Sequence, residues 1–150
     1  MKLIEIGEYG RVADGVESAS ELVRSVVDGM AAVYRTNGYV RPWIGYVAVE
    51  GGAAVGTCAF KTPMREGRVE IAYFTFPGNE GRGVGGRMAR ELVTIARVAA
   101  PEVIVFAQTL PEESASTRIL RRLGFRKVRD VEHAEDGLVW EWELAVGVQI

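Results

Sequence analysis

Apolar residues recur at helical spacing in three stretches of the chain. The first follows Ser18 and Glu21, which have the spacing of a capping box, and runs to Asn37-Gly38. The second begins at Arg87, and the third covers residues 114–123. Pro101 and Gly124 end them, since neither residue continues a helix well. The three apolar faces contain Leu22, Val23, Val26, Val27, Met30 and Tyr34; Met88, Leu92, Ile95, Ala96 and Ala99; and Ala115, Ile119 and Leu123.

Seven other runs have the composition of β-strands. Two of them flank Glu50-Gly51-Gly52, which has the chemistry of a tight hairpin turn. Residues 103–107 are nearly all apolar, so we expect a central strand covered on both faces. In residues 138–144, apolar side chains alternate with Val139, Glu141 and Glu143, which predicts one buried and one wet face. The predicted strands are residues 1–6, 43–49, 53–60, 69–76, 103–107, 125–131 and 138–144.

The order of these elements indicates a fold class. One strand and one helix precede three strands, a helix, a strand, a helix and two final strands. This order predicts a mixed α/β domain whose sheet contains one βαβ crossover. At 150 residues, the chain has the length of a single domain, so we expect one domain over residues 1–150.

The segment that joins the fourth strand to the second helix is dense in glycine. Pro77-Gly78 stops the strand, and Gly81-Arg82-Gly83-Val84-Gly85-Gly86 leads into the helix. Glycines remove side chains from a loop, so that a ligand can reach its backbone N–H groups, and a helix N-terminus attracts anions. We therefore interpret this segment as a phosphate-binding loop.

Composition limits the partners of the chain. The net charge of -2 gives no basic excess for nucleic acid, so any anion site must be local. Cys58 is the single cysteine and His133 the single histidine, which argues against a disulfide and against a metal site. No run reaches the roughly 18 apolar residues of a membrane span, and no signal peptide is evident. We expect a cytoplasmic protein that binds neither nucleic acid nor membranes.

Three kinds of phosphate site could use this glycine loop. Gly81, Gly83 and Gly86 satisfy the G-x-G-x-x-G pattern of dinucleotide folds, but Glu102 stands at the wrong end of its strand to bind a ribose. The 64 residues after Gly86 are also too few for the rest of such a fold. A P-loop would need a Lys-Ser or Lys-Thr pair after the glycines, which is absent. The third reading is a site for the pyrophosphate of coenzyme A (CoA).

Several spaced motifs resemble one family. The loop EGRGVGG at residues 80–86 and the strand VEIAY at residues 69–73 resemble the acyl-CoA loop and preceding strand of GNAT N-acetyltransferases. TLPE at residues 109–112, ASTR at residues 115–118 and LGF at residues 123–125 resemble the late motif of the subgroup that includes ribosomal-protein N-terminal acetyltransferases. The resemblance runs from about Trp43 to Leu144.

The resemblance implies a mostly antiparallel, twisted sheet of about six to seven strands flanked by three to four helices. It also implies acetyl-CoA as cofactor. The backbone of Phe74, Thr75 and Phe76 would hydrogen-bond the pantetheine arm, which would lie in a gap beside residues 103–107. The amides of the loop would face the diphosphate, with charge from the arginines. These loop residues are Arg82, Gly83, Val84, Gly85, Gly86 and Arg87.

Three positions depart from the family pattern. Glu80 stands where glutamine or arginine is usual, Glu113 where an asparagine often holds pantetheine, and Leu120 where a tyrosine often acts as general acid. Leu120 cannot donate a proton, so the acid must be another group.

Glu70 and Ser116 are the candidate catalytic residues. Glu70 would be the base for the acceptor amine, on a strand face with Ala72, Phe74 and Phe76; the alternative is a surface glutamate paired with Arg65 or Arg68. Ser116 would donate a proton or a hydrogen bond to the leaving sulfur; the alternative is that Ser114 or Ser116 caps a helix.

The expected function is direct transfer of an acetyl group from acetyl-CoA to a primary amine, without a covalent enzyme intermediate. Cys58 fits a small buried core residue better than a nucleophile. The alternative function is a non-catalytic acyl-CoA-binding domain, which the departures at Glu80, Glu113 and Leu120 favour. The sequence does not identify the amine, and the tryptophans of the last strand leave a homodimer open.

Overall fold

The computed structural model of the chain describes residues 1–13, 16 and 20–150. Within this part it contains seven strands and three helices, in the predicted order. The strands are β1 (Lys2–Glu5), β2 (Gly45–Glu50), β3 (Ala53–Phe60), β4 (Arg68–Thr75), β5 (Ile104–Thr109), β6 (Arg126–His133) and β7 (Gly137–Leu144). The helices are α1 (Glu21–Asn37), α2 (Val84–Ala99) and α3 (Ala115–Arg122).

All seven strands form one sheet in the order β1-β2-β3-β4-β5-β7-β6. Every neighbouring pair is antiparallel except β4 and β5, which are parallel and joined by α2. The predicted mixed, mostly antiparallel sheet with one βαβ crossover is therefore confirmed, and β5 is an interior strand as expected.

The helices cover opposite faces of the sheet. A Cβ on Gly45 of β2 would meet Met30 of α1, whereas a Cβ on Gly56 of β3 would meet Met88 of α2. Gly45 pairs with Ala59, which is three residues from Gly56 and so points to the other face of β3. Helix α1 therefore lies on one face, and α2, which contacts α3, lies on the other. No helix in the described part is both long and apolar enough to cross a bilayer.

Two helix starts differ from the prediction. The side chain of Ser20 caps α1 by accepting the N–H of Val23 at 3.1 Å, and Ser18 lies outside the described residues. Helix α2 begins at Val84 rather than at Arg87. The last two glycines of the loop, Gly85 and Gly86, therefore lie in the first turn of the helix.

The predicted wet face of β7 is wrong at Glu141. Only 5% of this residue is exposed, and its carboxylate binds Arg68, Arg129 and Gln108. A buried carboxylate needs such partners because its desolvation is costly. Trp142 is buried on the other face, where its indole N–H donates to Thr109 at 3.0 Å. It therefore serves the core, and the sheet edge is formed by β6.

The buried hydroxyl of Tyr34 ties α1 to the sheet, and its removal should destabilise the fold. It donates to the Ile6 carbonyl at 2.7 Å and accepts the Gly45 N–H at 2.9 Å. Tyr34→Phe leaves both backbone groups without this partner, so we expect the free energy of unfolding in urea to fall by about 1–3 kcal/mol. Tyr39→Phe is the control, because its hydroxyl makes no hydrogen bond to the described residues; equal losses in both variants would contradict this account.

Candidate active site

Strands β4 and β5 pair only briefly and then separate. Their paired residues are Arg68 with Ile104, Val69 with Val105 and Glu70 with Phe106, after which β4 continues to Thr75. A gap therefore opens beyond Glu70 between two parallel strands in the middle of the sheet. The predicted gap beside residues 103–107 is present.

The hydrogen-bond register decides which backbone groups of β4 face this gap. Glu70 accepts a bond from Lys61 N–H, and Phe76 N–H donates to Val55, so both point their main chains toward β3. By alternation, Phe74 also points toward β3, whereas Tyr73 and Thr75 point into the gap. Of the three residues predicted to bond the pantetheine backbone, Thr75 has the required direction. The main chains of Phe74 and Phe76 point away from the gap, and Tyr73 has the same direction as Thr75.

The N-terminus of α2 lies at the far end of the gap. Gly83 precedes the helix with φ 77°, a left-handed conformation that glycine adopts without strain. The N–H groups of Val84, Gly85 and Gly86 have no acceptor in the described part of the chain, as expected for the first turn of a helix. Arg87 N–H, by contrast, donates to the Gly83 carbonyl at 3.1 Å, so the predicted set of amide donors is shorter by one.

A cleft of about 430 Å³ connects the gap with this helix terminus. We call it the cofactor cleft. Gly85 allows its walls to approach, because a Cβ there would lie 2.9 Å from Ile119 of α3 and 3.6 Å from the hydroxyl of Thr75. The lining consists of Tyr73, Phe74, Thr75, Asn79, Glu80, Gly81, Gly83, Val84, Gly85, Ala115, Ser116, Arg118, Ile119 and Arg122.

The positive charge at the cofactor cleft comes from two arginines that were not predicted to bind the diphosphate. The guanidinium of Arg87 donates two hydrogen bonds to the Glu50 carboxylate, at 2.7 and 2.9 Å, and does not line the cofactor cleft. Arg82 does not line the cleft either. Arg118 and Arg122 line the cleft instead. They stand four residues apart on α3, and this spacing was the available sequence signal.

The two unexpected acids do not present unpaired carboxylates to the cleft. Glu80 lines the cleft, but its carboxylate accepts the Gly78 N–H at 2.9 Å. Glu113 binds Arg121 and accepts the Thr117 hydroxyl at 3.0 Å, and the Arg121 guanidinium lowers the pKa of this carboxyl. Leu120 is fully buried in the core and does not face the cleft.

Glu70 lies where β4 leaves β5, on the face of the sheet that carries α1. Its carboxylate pairs with Lys61 at 3.2 Å, and 17% of its side chain is exposed. The alternative partner Arg68 is bound to Glu141 and Glu143, and Arg65 makes no ion pair with Glu70. The alternative pair of Glu70 with Arg65 or Arg68 is therefore not present, and a lysine takes that place. Glu70 is not part of the cofactor-cleft lining, so it approaches the gap from the opposite side to Ser116.

Ser116 lines the cofactor cleft, and its hydroxyl makes no hydrogen bond to the described residues. The capping role belongs to Ser114, which accepts the Thr117 N–H at 3.3 Å in a complete capping box. The hydroxyl of Tyr73 lies 3.5 Å from the Ser116 carbonyl, and burial raises the pKa of Tyr73. A second protonated hydroxyl is therefore present at this wall.

Cys58 is buried on β3, and burial raises the pKa of its thiol to about 12. A thiol with this pKa stays protonated near neutral pH and is a poor nucleophile. This setting agrees with the expected core role. The described residues contain no group of three or more side chains that could hold a metal ion.

A protein-family model that matches the sequence agrees with the geometry of this cleft. Residues 5–126, more than half of the chain, match the family model described as an acetyltransferase (GNAT) domain. The chain belongs to the GNAT acetyltransferase family. Because members of this family transfer acetyl groups, the chain is an acyltransferase. No curated protein sequence matches this GNAT chain.

Solved structures share its fold at low sequence identity. The ribosomal L7/L12 α-N-protein acetyltransferase RimL, in an apo crystal form, is 16% identical with a TM-score of 0.70, over 96% of this chain and 92% of that chain. RimL in complex with CoA is 17% identical with a TM-score of 0.65, over 86% and 74%. The ribosomal-protein-S5-alanine acetyltransferase from Vibrio fischeri is 14% identical with a TM-score of 0.65, over 83% and 70%.

The two serines of α3 should respond differently to removal of their hydroxyls. Ser114→Ala removes the helix cap, and we expect the free energy of unfolding to fall by about 1 kcal/mol. Ser116→Ala removes a hydroxyl with no protein partner, so stability should be unchanged within about 0.5 kcal/mol. Urea unfolding followed by circular dichroism measures both, and a larger loss in Ser116→Ala would show that Ser116 has a structural role.

Proposed function

We propose that residues 1–150 form one catalytic domain that transfers an acetyl group from acetyl-CoA directly to a primary amine. The observation that carries the proposal is the separation of β4 from β5 immediately after Glu70. The open edge of β4 leads from this point to the unpartnered N–H groups of α2. Such an edge binds an extended, amide-containing arm as though it were a further strand.

The residues present fit acetyl-CoA. The first-turn N–H groups of Val84, Gly85 and Gly86 suit a diphosphate, because they are free donors at the positive end of a helix dipole. The main chains of Tyr73 and Thr75 suit the two amides of pantetheine. Arg118 and Arg122 add positive charge at the same cleft. When bound, acetyl-CoA supplies a thioester whose carbonyl carbon accepts the amine.

Glu70 is the proton acceptor and Ser116 the hydrogen-bond or proton donor, on opposite sides of the gap. As the new C–N bond forms and the C–S bond breaks, Glu70 accepts a proton from the acceptor nitrogen, directly or through water. Ser116 donates a hydrogen bond or a proton to the departing sulfur, and Tyr73 is the second group able to do so. Cys58 takes no part, so no acyl-enzyme forms.

The alternative function is an acyl-CoA-binding domain without catalysis. The ion pair between Lys61 and Glu70 favours it, because the lysine ammonium occupies the carboxylate that would have to accept the proton of the amine. Lys61 is about half exposed, however, so an incoming ammonium substrate can replace it at little cost.

A cytoplasmic location and a homodimer stay predictions from the sequence.

Cofactor binding should appear as ligand-specific thermal stabilisation. At a hundred times the dissociation constant, acetyl-CoA or CoA should add about 2.7 kcal/mol, which corresponds to roughly 5–10 °C in Tm for a domain of this size. NAD and ATP at equal concentration are the controls. No shift with either CoA species at millimolar concentration would reject acetyl-CoA as the cofactor.

The base assignment predicts the effect of Glu70→Gln, which keeps the shape of the side chain and removes the proton acceptor. We expect kcat for acetyl transfer to fall about 100-fold or more, with the acetyl-CoA thermal shift retained. Glu102→Gln, at an exposed glutamate, is the matched control and should keep kcat. Turnover of Glu70→Gln at the wild-type rate would reject Glu70 as the base, and thermal shift without turnover in the wild type would favour the binding domain.

A further inference from the structure

A second cleft, of about 420 Å³, lies between α1 and the sheet. We call it the α1 cleft. It shares Tyr73 and Phe74 with the cofactor cleft, so the two clefts meet across β4. Helix α1 contributes Val26, Gly29, Met30 and Val33, and β3 and β4 contribute Ala59 and Ala72 among others. None of its lining residues carries a charge.

The floor of the α1 cleft leads to the proposed base. Thr57 pairs with Phe74, and Ala59 pairs with Ala72 in the next row. The row after these holds the ion pair between Lys61 and Glu70. A substrate nitrogen at Glu70 would therefore have its substituents directed over two alanines toward Phe74, which is 51% exposed.

Gly29 keeps one wall of the α1 cleft open. It lies in the middle of α1, where glycine costs about 1 kcal/mol relative to alanine. A Cβ at this position would meet no atom within 4 Å, and the backbone there is helical, so neither packing nor conformation requires glycine. What the glycine provides is empty space beside an apolar surface.

We propose that the α1 cleft receives the substituent of the acceptor, and that the acceptor is a primary amine with an aliphatic or aromatic group close to its nitrogen. The inference rests on the proposed function and specifies its substrate class. Free alkyl- or arylalkylamines and peptides with an apolar first residue share this chemistry. Polyamines do not, because a second ammonium in the α1 cleft would be desolvated without a carboxylate to pair with.

Acceptor preference tests this inference through CoA release in two arms. In the first arm, 2-phenylethylamine is compared with ethanolamine and spermidine; in the second, a peptide beginning with Phe is compared with the same peptide beginning with Ser. We expect kcat/KM to favour the apolar member at least tenfold in one arm, and the responding arm identifies the source of the amine. Equal or better use of the polar members in both arms overturns the inference.

Filling the α1 cleft should abolish the preference. Gly29→Leu should reduce the ratio of kcat/KM for the apolar and polar acceptors at least tenfold, while acetyl-CoA still raises Tm. Ala32→Leu, which adds the same side chain at an exposed position of α1, should keep the ratio. An unchanged ratio in Gly29→Leu would overturn the inference. Absence of transfer to every amine, with acetyl-CoA bound, would reject the proposed catalytic function itself.

Discussion

The abrupt end of pairing between β4 and β5 is the constraint on which the site depends. Two parallel strands in the interior of a sheet normally continue their ladder, because an unpaired backbone group away from water costs about as much as a lost hydrogen bond. Here the ladder stops at Glu70 and Phe106, and the main chains of Tyr73 and Thr75 are left facing a gap. A ligand that carries its own amides can complete this edge. The N-terminus of α2 lines the same cleft, and its free N–H groups suit the phosphates of such a ligand.

Ion pairs around the gap decide which charged side chains remain available. Glu141 and Glu143 hold Arg68, and Glu50 holds Arg87. Each arginine could otherwise have occupied the role that the sequence suggested, one beside Glu70 and the other at the diphosphate. Because both are held elsewhere, Glu70 keeps a single, half-exposed lysine partner, and the cofactor cleft takes its charge from α3.

The order of elements could be predicted because periodicity of apolar residues is a local property, and all ten elements occur where the pattern placed them to within a few residues. Ion pairs between residues that are distant in sequence could not be predicted. Arg87 and Glu50, for example, are 37 positions apart, and charge alone does not specify which acid pairs with which arginine. The direction of each backbone group along β4, including those of Phe74 and Phe76, also could not be predicted. Alternation gives two sets of residues, but only the register with β3 decides which set faces the gap.

Amide hydrogen exchange with and without saturating CoA tests the central claim most directly, because it reports on individual backbone N–H groups. We predict that CoA slows exchange at Tyr73 and Thr75 and at Val84, Gly85 and Gly86. Exchange at Ala72 and Phe74, whose N–H groups already bond to β3, should change little. Binding of CoA with unchanged exchange at Tyr73, Thr75 and the first turn of α2 would contradict the account.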